Sequence, residues 1–139
     1  MKNNILILSI LLAFSCNKII TKENDEINLK EAKIVTNDFY NEIISKDTLS
    51  VIKNLDKTID EKEFIDLIVS NYKDFGKITE FNISSVNTKS IEKNNSTLIE
   101  YKISINVKYE NKNCVEYLMF TNENNEKPLL NKYLINPVN

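Results

Sequence analysis

The chain has 139 residues and a formal net charge of −2, from 18 basic and 20 acidic side chains, and every basic residue is lysine. This length suits one small domain with a single core, and the nearly balanced charge offers no basic surface to nucleic acid. Histidine is absent, which excludes Ser-His-Asp and Cys-His catalysis and any histidine-ligated metal.

The first 15 residues have the three parts of a secretory signal peptide. Residues 1–4 are short and positive, residues 5–14 are apolar, and small residues precede Cys16. The apolar run of ten residues is much shorter than the roughly 20 that a membrane-spanning helix needs. We therefore interpret residues 1–15 as a signal peptide and not as a transmembrane anchor.

Residues 12–16, Leu-Ala-Phe-Ser-Cys, resemble the lipobox of bacterial lipoproteins. In that family a diacylglyceryl group is attached to the cysteine, and cleavage makes this cysteine the first residue. The resemblance implies that Cys16 is lipidated and that the protein, after crossing the inner membrane, is anchored to a bacterial envelope membrane. The alternative is a plain secreted protein, since ordinary signal peptidase would cut the same bond. More than one acyl chain makes anchoring stable, because each buried methylene contributes about 0.8 kcal/mol.

The segment after the cysteine is polar and shows no clear periodicity. We predict that residues 16–28 are the lipidated cysteine and a polar tether, and that residues 29–139 are the folded domain. A capping box at Asn28-x-x-Glu31 and apolar residues three and four apart predict a first helix that reaches about Lys46.

Two further helices are predicted before the single glycine of the chain. Asp47 is placed to cap a short second helix. Asp60-x-x-Glu63 is another capping box and opens a third helix. Gly76 follows that helix where a left-handed C-terminal cap is expected.

After Gly76 the apolar period changes from 3.6 to two, which predicts strands. The first strand covers residues 78–86, with a bulge because its apolar residues change face. Residues 99–110 alternate without interruption between apolar and polar, so one face of this strand is predicted to be buried. Residues 114–121 are apolar on both faces, which is typical of a central strand covered on both sides. Residues 129–135 form the last strand, which Pro137 ends, and turns are predicted at 93–96, 110–113 and 122–128.

Three helices followed by four strands predict an α+β fold, in which the helices pack on an antiparallel meander. This order of elements, with Phe75-Gly76-Lys77-Ile78 at the junction, resembles the cystatin-like roll of the nuclear transport factor superfamily. It is similar, more narrowly, to the small bacterial lipoproteins of that superfamily that are known as domains of unknown function. The resemblance implies a cone-shaped domain with a cavity between the first helix and the sheet.

Within such a cavity, the resemblance implies a low-polarity ligand site whose candidate residues are Phe39, Tyr40, Tyr101 and Tyr117. In catalytic members of the superfamily the cavity holds an Asp or His base and a Tyr donor. The carboxylate candidates here are Asp38 and Glu42, and Tyr72 is a further candidate donor. The alternative is that Tyr101 and Tyr117 are core residues whose hydroxyls have hydrogen-bond partners, and that Asp38 and Glu42, one helical turn apart, lie on a solvated face.

We therefore expect a lipid-anchored cell-envelope protein whose domain binds a small apolar ligand or another envelope protein. The alternatives are an enzyme of the cone fold that uses Asp or Glu with Tyr, and an inhibitor or protective protein that blocks a partner. No metal, cofactor or nucleic acid is expected. Cys114 is predicted to be a small buried residue of the core and not a nucleophile, since no histidine or arginine can lower its pKa.

Overall fold

The computed structural model describes residues 19–138. The fold is α+β, with three helices and a five-stranded antiparallel sheet in which the strands follow one another in the order β1-β2-β3-β4-β5. The signal peptide, Cys16 and the next two residues lie outside the described residues. The elements are β1 (Ile20–Glu23), α1 (Glu26–Ser45), α2 (Thr48–Lys53), α3 (Glu61–Phe75), β2 (Ile78–Lys93), β3 (Ser96–Tyr109), β4 (Asn113–Glu123) and β5 (Leu129–Val138).

An aspartate caps each helix. Asp25 accepts a hydrogen bond from the backbone N–H of Ile27, so α1 begins before the predicted cap at Asn28. Asp47 and Asp60 cap α2 and α3 as predicted, because their side chains accept from the backbone N–H groups three residues further on. These bonds satisfy N–H groups that have no partner inside the helix.

The segment predicted as part of a tether forms the first strand. Ile20–Glu23 pairs antiparallel with β2, and Asn24 exchanges hydrogen bonds with Thr88. All four side chains of β1 are exposed. The strand therefore has no apolar pattern that a sequence could reveal, and its stability comes from backbone pairing at the edge of the sheet. The folded unit starts at Ile20 and not at Leu29, and the sheet has five strands instead of four.

Strand β2 contains two bulges, which bring apolar residues of different parity in its sequence to the same face of the sheet. The register shifts between Ile78 and Glu80, and again between Ile83 and Ser85, which confirms the predicted bulge. At each shift one residue of β2, Thr79 or Ser84, has no cross-strand partner. Their hydroxyls donate to backbone carbonyls of β3, Thr79 to Lys108 and Ser84 to Ser104. The apolar residues around the two bulges, Ile78, Phe81, Ile83 and Val86, consequently all lie opposite members of the buried row of β3.

That buried row of β3 is the centre of the core, as the alternation predicts. Its members are at most 6% exposed: Ile99, Tyr101, Ile103, Ile105, Val107 and Tyr109. The helices cover this face, and Phe39 of α1 packs edge-on against Phe120 of β4 with ring centroids 5.9 Å apart. The predicted turn at 93–96 is also present, with Asn94 and Asn95 both left-handed, as a tight two-residue hairpin requires.

The other face of β4 is not covered as predicted. Tyr117 is 44% exposed there, and its cross-strand neighbour Leu134 is 48% exposed. The helices pack on the inner face, where Phe39 of α1 meets Phe120 and Phe64 of α3 meets Tyr133. The last strand also runs past Pro137, which is tolerated because β5 is an edge strand and one side of it needs no partner. None of the helices in the described part of the chain is both long enough and apolar enough to span a bilayer.

Candidate functional site

Among residues 19–138, one carboxylate lies inside the core. Glu116 is on the inner face of β4, next to Cys114 and Leu118 in the same row, and is 0% exposed. A charged group in such a place is costly unless it is hydrogen-bonded. It therefore needs polar partners within the core.

Three tyrosine hydroxyls donate to this carboxylate. Tyr40 of α1 and Tyr133 of β5 reach Oε2 of Glu116, at 2.5 and 2.6 Å. Tyr109, at the end of β3, reaches Oε1 at 2.7 Å. We call these four residues the tyrosine–glutamate cluster. The cluster joins one helix and three strands at one point.

An aromatic neighbour holds each ring of the cluster in place. Phe81 stacks on Tyr40 with centroids 4.7 Å apart. Phe64 and Phe75 meet the rings of Tyr133 and Tyr109 edge-on, at 5.6 and 5.5 Å. The hydroxyls are therefore oriented by packing before they bind the carboxylate.

The electrostatics of the cluster are dominated by burial. Burial raises the pKa of Glu116 above its ordinary value, although the three hydrogen bonds act in the opposite direction. Burial and the neighbouring carboxylate also raise the pKa of the tyrosines. The ion pairs within residues 19–138 are both on the surface and involve other glutamates, so no lysine compensates Glu116.

A carboxyl group with a raised pKa beside tyrosine hydroxyls is suited to proton transfer, but here it has no access to a substrate. The space bordered by the cluster is too small for a water molecule. Asn71 of α3 also borders it, and the amide nitrogen of this side chain is buried without a hydrogen-bond partner. In this conformation the cluster is a closed polar part of the core.

An open cleft lies on the helical side of the domain, directly beyond the cluster. It has a volume of about 460 Å³. We call it the helical cleft, and its lining is mainly apolar: Ile43, Val51, Ile65, Ile68, Val69 and Tyr72. Ile43, Ile68 and Tyr72 border both the cleft and the closed space at Glu116. These three side chains are therefore the wall between the two.

Four charged residues stand at the rim of the helical cleft, namely Glu42, Lys46, Lys77 and Glu110. Glu42 accepts a hydrogen bond from the side chain of Asn54. Glu110 accepts from the backbone N–H of Lys77 at 3.0 Å. The ammonium of Lys46 lies 5.8 Å from the centre of the Tyr72 ring, within range of a cation–π contact.

The predicted ligand residues are divided between two faces of the sheet. Phe39, Tyr40 and Tyr101 are 0% exposed and share the core. The hydroxyl of Tyr101 donates to Glu31 of α1 and not to Glu116. Tyr117 lies on the outer face, because it is one position out of phase with Glu116 along β4. It therefore cannot line a space together with Tyr40.

The candidate acid–base residues are also dispersed. Asp38 is exposed on α1, whereas Glu42 lies at the rim of the helical cleft. Tyr72 lines the cleft and donates to the backbone carbonyl of Ile43 at 3.1 Å. Cys114 is 2% exposed and burial raises the pKa of its thiol, which confirms that it is a buried residue of the core.

Glu116 was not among the predicted site residues, although the sequence contains a signal for it. Glu116 has the same parity as Cys114, Leu118 and Phe120, so it is a charged residue between apolar residues of the inward row. Such an exception to binary patterning predicts a buried polar interaction. Its partner Tyr40 is 76 positions away in the chain, and no local pattern can reveal that contact.

Within the described range 19–138, no three or more histidine, cysteine, aspartate or glutamate side chains are grouped so that they could hold a metal ion. No protein-family model, curated protein or solved structure matches this chain.

Proposed function

We propose that this protein is a lipid-anchored envelope protein whose domain binds a small, largely apolar molecule in the helical cleft. The observation that carries the proposal is the open apolar cleft of about 460 Å³ beside a closed core. This volume is within the range of about 300 to 1,000 Å³ that is usual for small-molecule sites. Binding sites of this kind are mostly apolar and have a few polar groups at the rim, as here.

The position of the cleft supports ligand binding over catalysis. The buried carboxylate with three tyrosine donors is Glu116, and Ile43, Ile68 and Tyr72 separate it from the open cleft. A molecule in the cleft therefore contacts these three side chains and not the carboxylate of Glu116. The proposed site differs from the predicted one between α1 and the sheet, because most of the residues that line the cleft belong to α1, α2 and α3.

A substitution at Val69 tests the proposal. Val69 lines the cleft but is 60% exposed, so Val69→Asp should change the free energy of unfolding by no more than about 0.5 kcal/mol. It places a charge against the apolar ligand, and we expect binding to fall about tenfold, which corresponds to about 1.4 kcal/mol. The measurement is labelling of the full-length chain by photoreactive decanol, which carries a diazirine in its alkyl chain, with the labelled peptides mapped.

The matched control is Leu49→Asp. Leu49 is 72% exposed on α2 and does not line the cleft, so the same apolar-to-acidic change should leave the labelling as it is. Equal labelling of both variants and the native chain, or label that maps outside the cleft, would refute ligand binding there.

The residues that precede the folded domain support the lipid anchor. The start of the fold limits how far from the membrane the domain can lie. Strand β1 begins at Ile20, four positions after Cys16. Four residues extend to roughly 14 Å at most. A lipid on Cys16 would therefore hold the end of the sheet that carries Ile20 close to the headgroups, whereas the predicted tether would have let the domain stand clear of them.

Metabolic labelling with a radioactive fatty acid tests the anchor. We expect labelled protein from the native gene and none from Cys16→Ala, because the thioether to the lipid needs this thiol. Cys114→Ala is the matched control, since it removes the other cysteine, and its label should persist. Label that survives Cys16→Ala would show that the lipobox interpretation is wrong.

The fold itself supports a proposal about kinship. Three helices before a meander of long strands agree with the order of a cystatin-like roll, and β1 adds a strand at one edge. We propose that the domain is a variant of that roll. The glycine junction between α3 and β2 is the detail that favours it.

A second candidate function is supported by the outer face of the sheet. Tyr117 and Leu134 are paired there and about half exposed, with Met119 and Lys132 as the adjacent pair. An apolar patch with a basic border is typical of a surface for another protein. The partner would in that case be an envelope protein, and a binding experiment with Tyr117→Ser would separate this surface from the cleft.

A further inference from the structure

We propose that the molecule bound in the helical cleft is an anionic amphiphile with a single alkyl chain, such as a fatty acid, whose head group is held between Lys46 and Lys77. This inference rests on the proposed ligand binding and adds the chemical class of the ligand. The observation behind it is that both rim carboxylates have hydrogen-bond partners, whereas neither rim lysine has a carboxylate partner among residues 19–138.

The two carboxylates of the rim are already engaged. Glu42 binds the side chain of Asn54, and although burial raises the pKa of Glu42, the charge of Lys127 acts on it in the opposite direction. Glu110 binds the backbone N–H of Lys77 and lies against Gly76. Neither carboxylate is therefore available as the main counterion of a rim lysine.

The two lysines of the rim have no carboxylate partner among residues 19–138. The ion pairs in this part of the chain involve Lys22 and Lys102, both remote from the cleft. Lys46 instead lies over the ring of Tyr72, a cleft residue, so its ammonium is held at the edge of the apolar lining. Two unpaired cations beside an apolar cleft complement an anion with an apolar tail.

The backbone at Lys46 supports a role for its side chain. Lys46 ends α1 in the left-handed conformation, with φ 60°. This conformation favours glycine or asparagine and is uncommon for a long side chain. A lysine at such a position is the kind of local exception that is found at functional sites.

The size of the cleft indicates one alkyl chain and not two. Its volume of about 460 Å³ is in the lower half of the range for small-molecule sites. The lining is continuous from Val51 on α2 to Val69 and Tyr72 on α3, with no polar side chain buried in it that would need a hydrogen bond. The tail would therefore lie on this lining with its head at the lysines.

Two probes that differ in charge test the proposed head group. The full-length chain is labelled in phosphatidylcholine vesicles with photoreactive decanoic acid or with photoreactive decanol, which differ only in the head group. We expect the acid to label the cleft about fivefold more than the alcohol, the gain typical of one or two exposed ion pairs. In Lys46→Asn with Lys77→Gln this ratio should fall to about one. Asparagine is used because it tolerates the left-handed backbone.

The matched control is Lys33→Gln with Lys93→Gln, which removes the same charge from exposed positions outside the cleft. Its ratio of acid to alcohol labelling should remain about fivefold, and raised ionic strength should lower this ratio. If both probes label the cleft equally in the native chain, or if the control pair lowers the ratio as much, the anionic head group is refuted while ligand binding stands. If neither probe labels the cleft, the proposed function itself fails.

Discussion

Glu116→Ala is expected to lower the free energy of unfolding by about 3 kcal/mol, whereas Glu116→Gln should leave the fold intact. Alanine leaves three hydroxyls that now donate to Glu116 without an acceptor in a fully buried place. An unsatisfied buried polar group costs about 1 to 3 kcal/mol, and the cavity adds to this cost. Removal of the buried carboxylate returns part of that energy, because the native chain has to desolvate it.

Glutamine can satisfy the same three tyrosines. Its amide oxygen can accept from Tyr40 and Tyr133, which share one carboxylate oxygen in the native chain. Its amide nitrogen can donate to Tyr109, because a hydroxyl both donates and accepts. Glutamine is also uncharged, so it resembles the protonated carboxyl group. We therefore expect Glu116→Gln to match the native chain in acid and to exceed it at higher pH.

The sign of the pH dependence follows from the raised pKa of Glu116. The folded chain keeps this proton at pH values where the unfolded chain, with its ordinary value of 4.5, has released it. The free energy of unfolding should therefore fall as the pH rises from 4.5, until the pKa of the folded state has been passed. Asp47 and Asp56 affect the free energy of unfolding in a different pH range. Hydrogen bonds lower their pKa from 3.8, so the stability that they contribute is lost only in stronger acid.

Denaturant unfolding of the full-length chain at pH values between about 4.5 and 8 measures this effect. Burial also raises the pKa of Glu42, so the native slope contains more than one group. The difference between the native chain and Glu116→Gln isolates the contribution of Glu116. An identical slope in both proteins would mean that folding does not raise the pKa of Glu116, and a loss of stability in Glu116→Gln at about pH 8 would mean that the ionised carboxylate stabilises the folded state.

The elements that the sequence predicts well are those whose signal is local. The alternation of β3, the caps Asp47 and Asp60, and the bulge in β2 each depend on neighbouring residues, and all are present. Strand β1 was missed because none of its side chains is buried and only its backbone is paired. Its partner lies about 70 positions away, so its four residues resemble a polar linker.

The candidate site depends on contacts that no local pattern contains. Tyr40 and Tyr133 each fit the apolar pattern of their own helix or strand, so the sequence gives no sign of a further role. In the structure both hydroxyls bind Glu116. The helical cleft is even less accessible to sequence reasoning. It exists because α1, α2 and α3 pack incompletely against each other, and the apolar stripes of the sequence predict that they touch but not where a gap remains.

Gly76→Ala is expected to destabilise the fold by about 3 kcal/mol or more, although it changes the chain by one methyl group. Gly76 has φ 84° and ψ −167°. Positive φ was expected for a left-handed cap, but the extended ψ places this residue in a region that is almost exclusive to glycine and costs other residues about 1 to 3 kcal/mol. A Cβ would also lie 2.8 Å from Cβ of Glu110, which belongs to the turn between β3 and β4.

Gly76→Asn separates the predicted cap from the observed one. In a true left-handed cap asparagine would cost only a few tenths of a kcal/mol, because it tolerates that conformation. With the observed ψ it should cost about as much as alanine, since its Cβ meets the same atoms of Glu110. A mild effect of Gly76→Asn in denaturant unfolding would therefore contradict the observed junction between α3 and β2.

The contact with Glu110 can be isolated by a double-mutant cycle. Glu110→Gly alone should destabilise the chain, because the bond from the Lys77 N–H to its carboxylate is lost. Combined with Gly76→Ala, it removes the Cβ and the carboxylate oxygen that the new methyl group meets at 2.8 and 2.7 Å. The loss in the double variant should therefore be smaller than the sum of the single losses by about 1 kcal/mol. Strict additivity would mean that backbone strain alone requires glycine at position 76, and that the turn at Glu110 can move away from a side chain there.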